Sequence, residues 1–246
     1  MATIAPTPAA IQRPQVRREP SSYDALKAHF AAHPEERLKH SHPWDVSRSE
    51  LYAEDTWQPV FAEMRKAGQL HYIPESPYGP YWAVVGHKAI QHIEALPETF
   101  SSSWEHGGIT ILNRLSEEEA AASGIESREM PMFIAMDRPQ HTGQRRTVAP
   151  KFTPSAMTDM EAEIRARTGE VLDSLPRGEV FDWVEKVSIE LTTGMLAILF
   201  GFPWEDRRLL TFWSDWAGDT ELATVRELDA MRWGILQEMA AYFQSL

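Results

Sequence analysis

Apolar residues recur every three or four positions through most of the second half of the chain. This spacing predicts amphipathic helices, because residues three and four apart share one helix face. Three such helices are predicted at about residues 157–175, 183–199 and 205–216. The second of them is apolar on most sides, so we expect it to be buried. A further helix carries the apolar stripe Leu222, Val225, Leu228, Ile235, Leu236, Met239 and Phe243.

The first half of the chain mixes helical and strand patterns. Helical spacing predicts helices over residues 51–68 and 87–96. Between them, Leu70–Ile73 and Tyr81–Val85 have the composition of short strands, and the segment that joins them is rich in proline. A hairpin is the simplest arrangement. The predicted fold class is therefore mainly α with a small N-terminal β-hairpin.

These patterns divide the chain into four stretches. Residues 1–45 are predicted to be a mobile leader followed by a few N-terminal turns, and residues 46–100 form a small α+β part with the hairpin. Residues 101–136 form a long loop, and residues 137–246 form the helical part. A loop of this length in a compact domain is usually functional or disordered.

Composition narrows the function classes. The 24 basic and 36 acidic residues give a net charge of −12, which argues against binding to nucleic acid. The chain has no cysteine, so disulfides and thiolate metal sites within it are excluded, and a reducing cytoplasm is the expected compartment. The longest apolar stretch, Met195–Phe202, is far shorter than the roughly 20 residues of a membrane span.

Three histidines, His33, His40 and His42, lie close together in a polar segment. Histidine is a common metal ligand, so a metal site is conceivable there. No carboxylate or further histidine stands at helical ligand spacing, however, and we predict a solvated loop without a metal.

The sharpest candidate for chemistry is the pair His141 and Arg145. They are one helical turn apart, so their side chains leave the same helix face. An arginine fork and an imidazole donor together could clamp one or two carboxylates. An ordinary solvated helix face explains the same spacing. Asp137 is expected to cap the helix, with Pro139 in its first turn.

The residues around this pair resemble the C-helix segment of bacterial cytochromes P450. The resemblance rests on Phe133–Asp137, Arg138–His141, Arg145-Arg146 and Ala149–Pro154, and other landmarks follow in the family's order over about residues 45–246. These landmarks are the hairpin, Pro97–Ser102 after the B helix and Leu199–Pro203 between the E and F helices. The resemblance implies the P450 fold up to about its G helix, with haem b as cofactor and its two propionates bound by His141 and Arg145.

Within the family, the sequence is most similar to the bacterial branch that hydroxylates the terminal carbons of alkanes and fatty acids. The similarity lies in Ser76–Trp82, Gly107–Ile111 and Val187–Thr193, whereas Arg138 stands where that branch usually has proline. The resemblance implies a cytoplasmic, monomeric monooxygenase that uses O2, takes electrons from a ferredoxin and ferredoxin reductase, and acts on a small apolar substrate. Residues 101–136 would then lie on the substrate side.

Two further groups of residues gain candidate roles from this resemblance. The substrate-pocket candidates are Ile109, Ile111 and Leu112, with plain packing under the loop as the alternative. The candidates for a surface that docks the redox partner are Arg138, Arg146 and Lys151, with a solvated face as the alternative.

The family's oxygen-activating helix, its Glu-x-x-Arg pair and its cysteine loop have no convincing counterpart here. Ala217–Thr220 is one residue too short for the first, and Glu205 with Arg208 matches the second by coincidence. Without an axial cysteine the chain offers no metal ligand and no catalytic residue, so we expect it to be inactive alone. Two alternatives without haem remain open. One is a helical module that binds an acidic ligand through His141 and Arg145, and the other is an interaction protein whose basic cluster docks an acidic partner.

Overall fold

A computed structural model of the chain describes residues 14–106 and 132–246. These residues are mainly helical, with one two-stranded antiparallel sheet, as predicted. The first part of the predicted leader and the pocket candidates Ile109, Ile111 and Leu112 lie outside the described residues. The helices and strands, in chain order, are α1 Ser22–Ala32, α2 Glu50–Ala53, α3 Trp57–Ala67, β1 Leu70–Ile73, β2 Tyr81–Val84, α4 His87–Glu94, α5 Gln140–Val148, α6 Pro154–Asp173, α7 Ile189–Phe200, α8 Arg208–Gly218 and α9 Arg226–Gln244.

The chain forms two compact units, which we treat separately. The hairpin unit consists of residues 33–156. The helical unit combines the residues up to Ala32 with residues 157–246.

The predicted hairpin is present in the hairpin unit. Leu70 pairs with Val84 and Ile73 with Tyr81, so the two strands are antiparallel and in full register. Ile73 and Ala83 point inward and join a small core, whereas Tyr72 and Trp82 stay exposed on the outer face. Alternation between the faces follows from the two-residue period of a strand.

The single helix predicted over residues 51–68 is wrong, because the structure has α2 and α3 there with a break between them. Asp55 in the break adopts a positive φ of 53°, a conformation that does not continue a right-handed helix. The end of α3 is held by a side chain from β1. The buried His71 imidazole Nε2 lies 2.9 Å from the Met64 carbonyl oxygen and 3.2 Å from that of Gly68, so it donates to helix-end carbonyls.

The solvated loop predicted around the three histidines is wrong for His40. Its Nδ1 lies 2.7 Å from a carboxylate oxygen of Asp45, and both side chains are buried. The other carboxylate oxygen of Asp45 accepts hydrogen bonds from Ser47 and from the Tyr81 hydroxyl, which ties this segment to β2. Burial raises the pKa of Asp45, but these hydrogen bonds outweigh it, and the net pKa is lowered.

Helices α1, α8 and α9 contribute equally to the core of the helical unit, and its largest side chains come from α8 and α9. Trp213, Trp216 and Tyr242 are almost completely buried, and Phe202 packs on Trp213 and Tyr242. Five members of the predicted stripe are buried, namely Leu222, Val225, Leu228, Ile235 and Leu236. The single helix predicted to carry them is wrong, because Leu222 lies in a 3₁₀ turn, Glu221–Thr224, and α9 begins only at Arg226.

The predicted burial of the segment 183–199 on most sides is wrong within this unit. Thr193, Gly194 and Ala197 are buried on one face of α7, but Trp183 and Ile198 are exposed. The reason is that α7 packs on the turn Trp204–Asp206 and on α8, which cover a single side of it.

Candidate haem-propionate site

Helix α5 carries the predicted clamp and is unusual for its lack of burial. It has no buried residue, and it runs directly into a 3₁₀ turn, Ala149–Phe152. The sequence of α5, Gln140–Val148, has polar residues and a glycine at all positions before its last one. A helix of this composition does not contribute to a core, so its side chains are available for a ligand or a partner.

His141 and Arg145 both lie on α5, one turn apart, as predicted. The His141 ring is half-buried beside Phe133, with 6.1 Å between the ring centroids, whereas Arg145 is exposed. Among the described residues, no carboxylate pairs with the Arg145 guanidinium. The pair therefore offers an imidazole donor and an arginine fork on one helix face, which suits carboxylate groups.

The expectation that Asp137 caps the helix is wrong. The N-cap of α5 is Pro139, and no side chain caps it. Instead, the Asp137 carboxylate accepts a 2.5 Å hydrogen bond from the Ser101 hydroxyl and a 3.2 Å hydrogen bond from the Ser102 amide. The reason is that a short carboxylate accepts hydrogen bonds from whichever donors are nearest. For Asp137 the nearest donors belong to the serines that follow α4, and not to the first amides of α5.

The hydrogen bond from Ser101 is the main cause that lowers the pKa of Asp137. Partial burial acts against it, and the Ser102 amide and the positive charges of His106 and His141 lower the pKa further. Asp137 is therefore a carboxylate at neutral pH, and it ties residues 101–102 to the start of α5. Sequence reasoning missed this contact, for which the run Ser101–Ser103 was the available signal.

The three candidates for a partner surface are all exposed. Arg138 lies 3.9 Å from Glu98, and both side chains are largely in water, so this ion pair contributes little. Arg146 and Lys151 have no ion pair within the described part of the chain. The structure thus places two uncompensated cations on α5 and on the turn after it.

Arg208, which completes the Glu-x-x-Arg match, belongs to a different ion-pair group. Its guanidinium binds the Glu190 carboxylate on α7, with Nε at 2.8 Å, and also Glu185 at 2.6 Å. Arg207 binds the same Glu190 at 2.7 Å. These contacts join α8 to α7 and to the segment before it, a structural task within the helical unit.

Comparison with known proteins identifies the fold. No protein-family model matches the chain. Cytochrome P450-153 from Novosphingobium aromaticivorans is 66% identical, with a TM-score of 0.76 over 83% of this chain and 50% of that chain. CYP153D17 from a Sphingomonas species is 54% identical, with a TM-score of 0.74 over 82% of this chain and 48% of that chain. Linalool 8-monooxygenase from Pseudomonas putida is 33% identical over 161 residues, which are 64% of this chain and 38% of that protein.

The hairpin, the helices that follow it and the order of these elements thus define the N-terminal part of a haem-protein fold. The chain belongs to the cytochrome P450 family. It spans about half the length of the solved relatives it matches and about two fifths of the curated ones. In the described ranges, no helix is long and apolar enough to cross a bilayer.

The donor set on α5 fits the carboxylate edge of haem. Haem has two propionates, and His141 and Arg145 offer donors that reach carboxylates in bidentate or single hydrogen bonds. For the iron, by contrast, the chain offers no thiolate ligand, because its 246 residues include no cysteine. The chain therefore fits the periphery of the haem and offers no axial cysteine to the iron.

Proposed function

We propose that the chain is the propionate-binding half of a haem-thiolate monooxygenase with haem b as its cofactor. The observation that carries this proposal is the pair of donors on α5, His141 and Arg145, in a chain that belongs to the cytochrome P450 family. The half-buried His141 and the exposed Arg145 stand on one face of a helix with no buried residue.

In this role the two side chains bind and orient the cofactor. Haem held by a cysteine thiolate supplies the oxygen-activating chemistry when it is bound. Arg145 and His141 would each donate to a propionate, and each charge-assisted hydrogen bond would contribute about 1.5–3 kcal/mol. Because the chain has no cysteine, we propose that it is inactive without a second half that carries the axial ligand.

For the substrate, we propose an apolar chain, an alkane or a fatty acid, hydroxylated at its terminal carbon. The sequences of two segments, Ser76–Trp82 and Val187–Thr193, resemble this branch of the family and support the proposal. The curated relatives named linalool 8-monooxygenase and steroid C26-monooxygenase support oxygenation of a largely hydrocarbon molecule. Ile109, Ile111 and Leu112 remain our candidates for the pocket lining.

For electron supply, we propose a ferredoxin and its reductase as partners of a cytoplasmic, monomeric enzyme. Arg138, Arg146 and Lys151 are exposed on one stretch of an otherwise acidic chain, which suits an acidic ferredoxin. Charges at such a surface mainly steer the encounter and raise its rate.

The test uses a holoprotein in which this chain is joined to the C-terminal half of the Novosphingobium aromaticivorans relative. With a ferredoxin, its reductase and a straight-chain alkane, we expect a thiolate-type Soret band in the reduced, carbon-monoxide-bound state and the terminal alcohol as main product. The relative itself, prepared in parallel, is the control. If the relative shows the band and the joined protein does not, the oxygenase proposal is wrong. A band with only subterminal alcohols would overturn the terminal regiochemistry.

A further inference from the structure

The first turn of α1 and the last turn of α8 line a cavity of about 460 Å³ in the helical unit. A 3.0 Å hydrogen bond from Trp216 Nε1 to the Pro20 carbonyl holds the two turns beside each other. Two aspartates, Asp215 and Asp219, line the cavity together with four residues that carry hydroxyl groups, Ser21, Ser22, Tyr23 and Ser214. The volume lies within the range of small-molecule sites, roughly 300–1,000 Å³.

The two aspartates stand at the C-terminal end of α8, in and beside the segment Ala217–Thr220 that is too short for the family's oxygen-activating motif. Helix α8 ends at Gly218, and the amide of Asp219, its C-cap, donates to the Asp215 carbonyl at 3.2 Å. The C-terminus of a helix is the negative end of its dipole, so carboxylates are unfavourable there and cations are favourable. Two carboxylates at this end therefore suit a positively charged ligand better than they suit the helix.

The protein's own cations compensate these two carboxylates incompletely. Burial raises the pKa of Asp215, although the residue keeps contact with water, and no cation in the described part of the chain lowers it. Burial is also the main cause that raises the pKa of Asp219, and the charge of Glu221 adds to it. Arg232 acts against this rise, but its Nε and Nη2 atoms donate to two carbonyls in the last turn of α8, at 3.1 Å each. A bound cation would favour the charged form of both carboxyl groups.

Ser22 supplies an independent indication of a ligand. It is only 5% exposed and it lines the cavity, yet its hydroxyl makes no hydrogen bond to any residue that the structure describes. The hydroxyl of its neighbour Ser21 differs, because it donates to the Asp24 carboxylate at 2.7 Å and accepts the Asp24 amide at 3.1 Å. A buried hydroxyl without a partner costs free energy, and a donor in the cavity would remove that cost.

We propose that this cavity binds a small aliphatic diamine, whose two ammonium groups pair with Asp215 and Asp219 and whose N–H groups also donate to the Ser22 hydroxyl. Each ammonium carries three donors, which carboxylate and hydroxyl oxygens accept. A metal ion fits less well, because it needs a close shell of ligands and the described residues group no third carboxylate or imidazole with the two aspartates. The site uses none of the residues assigned to haem, so its test is independent of the proposed function.

The experiment titrates the joined holoprotein with 1,4-diaminobutane at low salt and measures the heat of binding. We expect saturable binding of the diamine and none of 1,4-butanediol, which has the same length and no charge. Asp215→Asn is expected to weaken the affinity about tenfold, the loss of one charge-assisted hydrogen bond, without lowering the free energy of unfolding. The matched control is Asp173→Asn, which removes an exposed aspartate from the last position of α6 in the same unit and should leave the affinity unchanged.

A steric test uses Gly218, which also lines the cavity. A Cβ added there meets no atom within 4 Å, so the side chain of Gly218→Leu extends into open space and is expected to abolish binding of the diamine. Gly169→Leu on α6, where an added Cβ likewise meets nothing within 4 Å, is the control and should bind as the wild type does. Circular dichroism checks the fold of each variant. If Gly218→Leu does not fold, Ser22→Ala takes its place and is expected to weaken binding several-fold.

Three results would overturn the proposal. The first is the absence of saturable binding of the diamine to the wild type. The second is equal binding to the wild type, Asp215→Asn and a folded Gly218→Leu, since the diamine would then only adsorb to a chain with a net charge of −12. The third is saturable binding of calcium chloride that Asp215→Asn weakens and that the diamine does not displace, because the site would then belong to a metal ion.

Discussion

The arginines of the helical unit and those of α5 in the hairpin unit differ in their partners. In the helical unit, Arg17 binds Glu238 at 2.7 Å and Arg18 binds Asp206 at 2.7 Å, which fastens the N-terminal segment to the unit. Arg207 and Arg208 share Glu190 between α7 and α8. On α5, by contrast, Arg145 and Arg146 have no carboxylate partner among the described residues.

This difference separates structural cations from cations that are available for binding. The chain has 36 acidic and 24 basic residues, so carboxylates are in excess and partners are plentiful. A guanidinium that stays unpaired in such a chain, on a helix with no buried residue, contributes little to the fold. We expect such a guanidinium to bind a ligand or a partner. A substitution that weakens binding but leaves the free energy of unfolding unchanged would show this.

The largest effect is expected in the core of the helical unit. Trp216 is fully buried and its Nε1 donates to the Pro20 carbonyl at 3.0 Å. Trp216→Ala should lower the free energy of unfolding of the holoprotein by about 3–5 kcal/mol, measured by urea denaturation. Trp82→Ala, which removes a largely exposed tryptophan from β2, is the control and should cost less than about 1 kcal/mol. Equal costs for the two variants would contradict the packing described here.

A smaller effect is expected at the shared carboxylate. Burial raises the pKa of Glu190, but hydrogen bonds from Arg207 and Arg208 outweigh it and hold the pKa below its ordinary value. Because the folded pKa is depressed, this stabilisation is present above the ordinary carboxyl range and is lost as the pH falls through the folded pKa. Glu190→Gln should cost about 1–3 kcal/mol near pH 7.

The stability cost of Glu190→Gln is expected to depend on pH. The difference in unfolding free energy between the wild type and Glu190→Gln should shrink as the pH falls below about 5. Glu161→Gln, which removes the exposed partner of Arg165 on α6, should show almost no difference at either pH. A Glu190→Gln difference that stays constant or grows toward acid pH would contradict the ion-pair assignment.

The smallest effect on stability is expected for the unpaired cations of the proposed partner surface. Arg146→Ala combined with Lys151→Ala should leave the unfolding free energy within about 0.5 kcal/mol of wild type. It should slow association with an acidic ferredoxin by about tenfold at low salt, measured by stopped flow, with the difference fading at high salt. The control removes Arg165 and Lys186, two exposed cations of the helical unit. Equal slowing by the control would contradict a localised docking surface.

Regular patterns made much of this fold predictable. The strand segments Leu70–Ile73 and Tyr81–Val84 are close to the predicted ones, and α9 buries Leu228, Ile235 and Leu236 of the predicted stripe. Both results follow from short-range periodicity, in which burial of one face determines the register. The placement of His141 and Arg145 one turn apart on a helix was predictable for the same reason.

The features that escaped prediction depend on contacts distant in sequence or on single backbone angles. Asp137 has the sequence context of a helix cap, but donors 35 and 36 residues earlier occupy its carboxylate. His40 looks solvated in its polar segment, and only the fold brings Tyr81 to the same buried carboxylate. The break at Asp55 depends on the backbone φ angle of a single residue, which the spacing of apolar residues does not reveal.

The central claim is that Arg145, which has no carboxylate partner among the described residues, serves haem binding and not the fold. The most direct test measures two quantities on Arg145→Ala in the joined holoprotein, the rate of haem transfer to apomyoglobin and the free energy of unfolding of the haem-free protein. We expect the transfer rate to rise about tenfold or more, while the unfolding free energy stays within about 0.5 kcal/mol of wild type. Arg165→Ala should leave both unchanged. An Arg145→Ala variant that keeps its haem as well as the wild type does would contradict the claim.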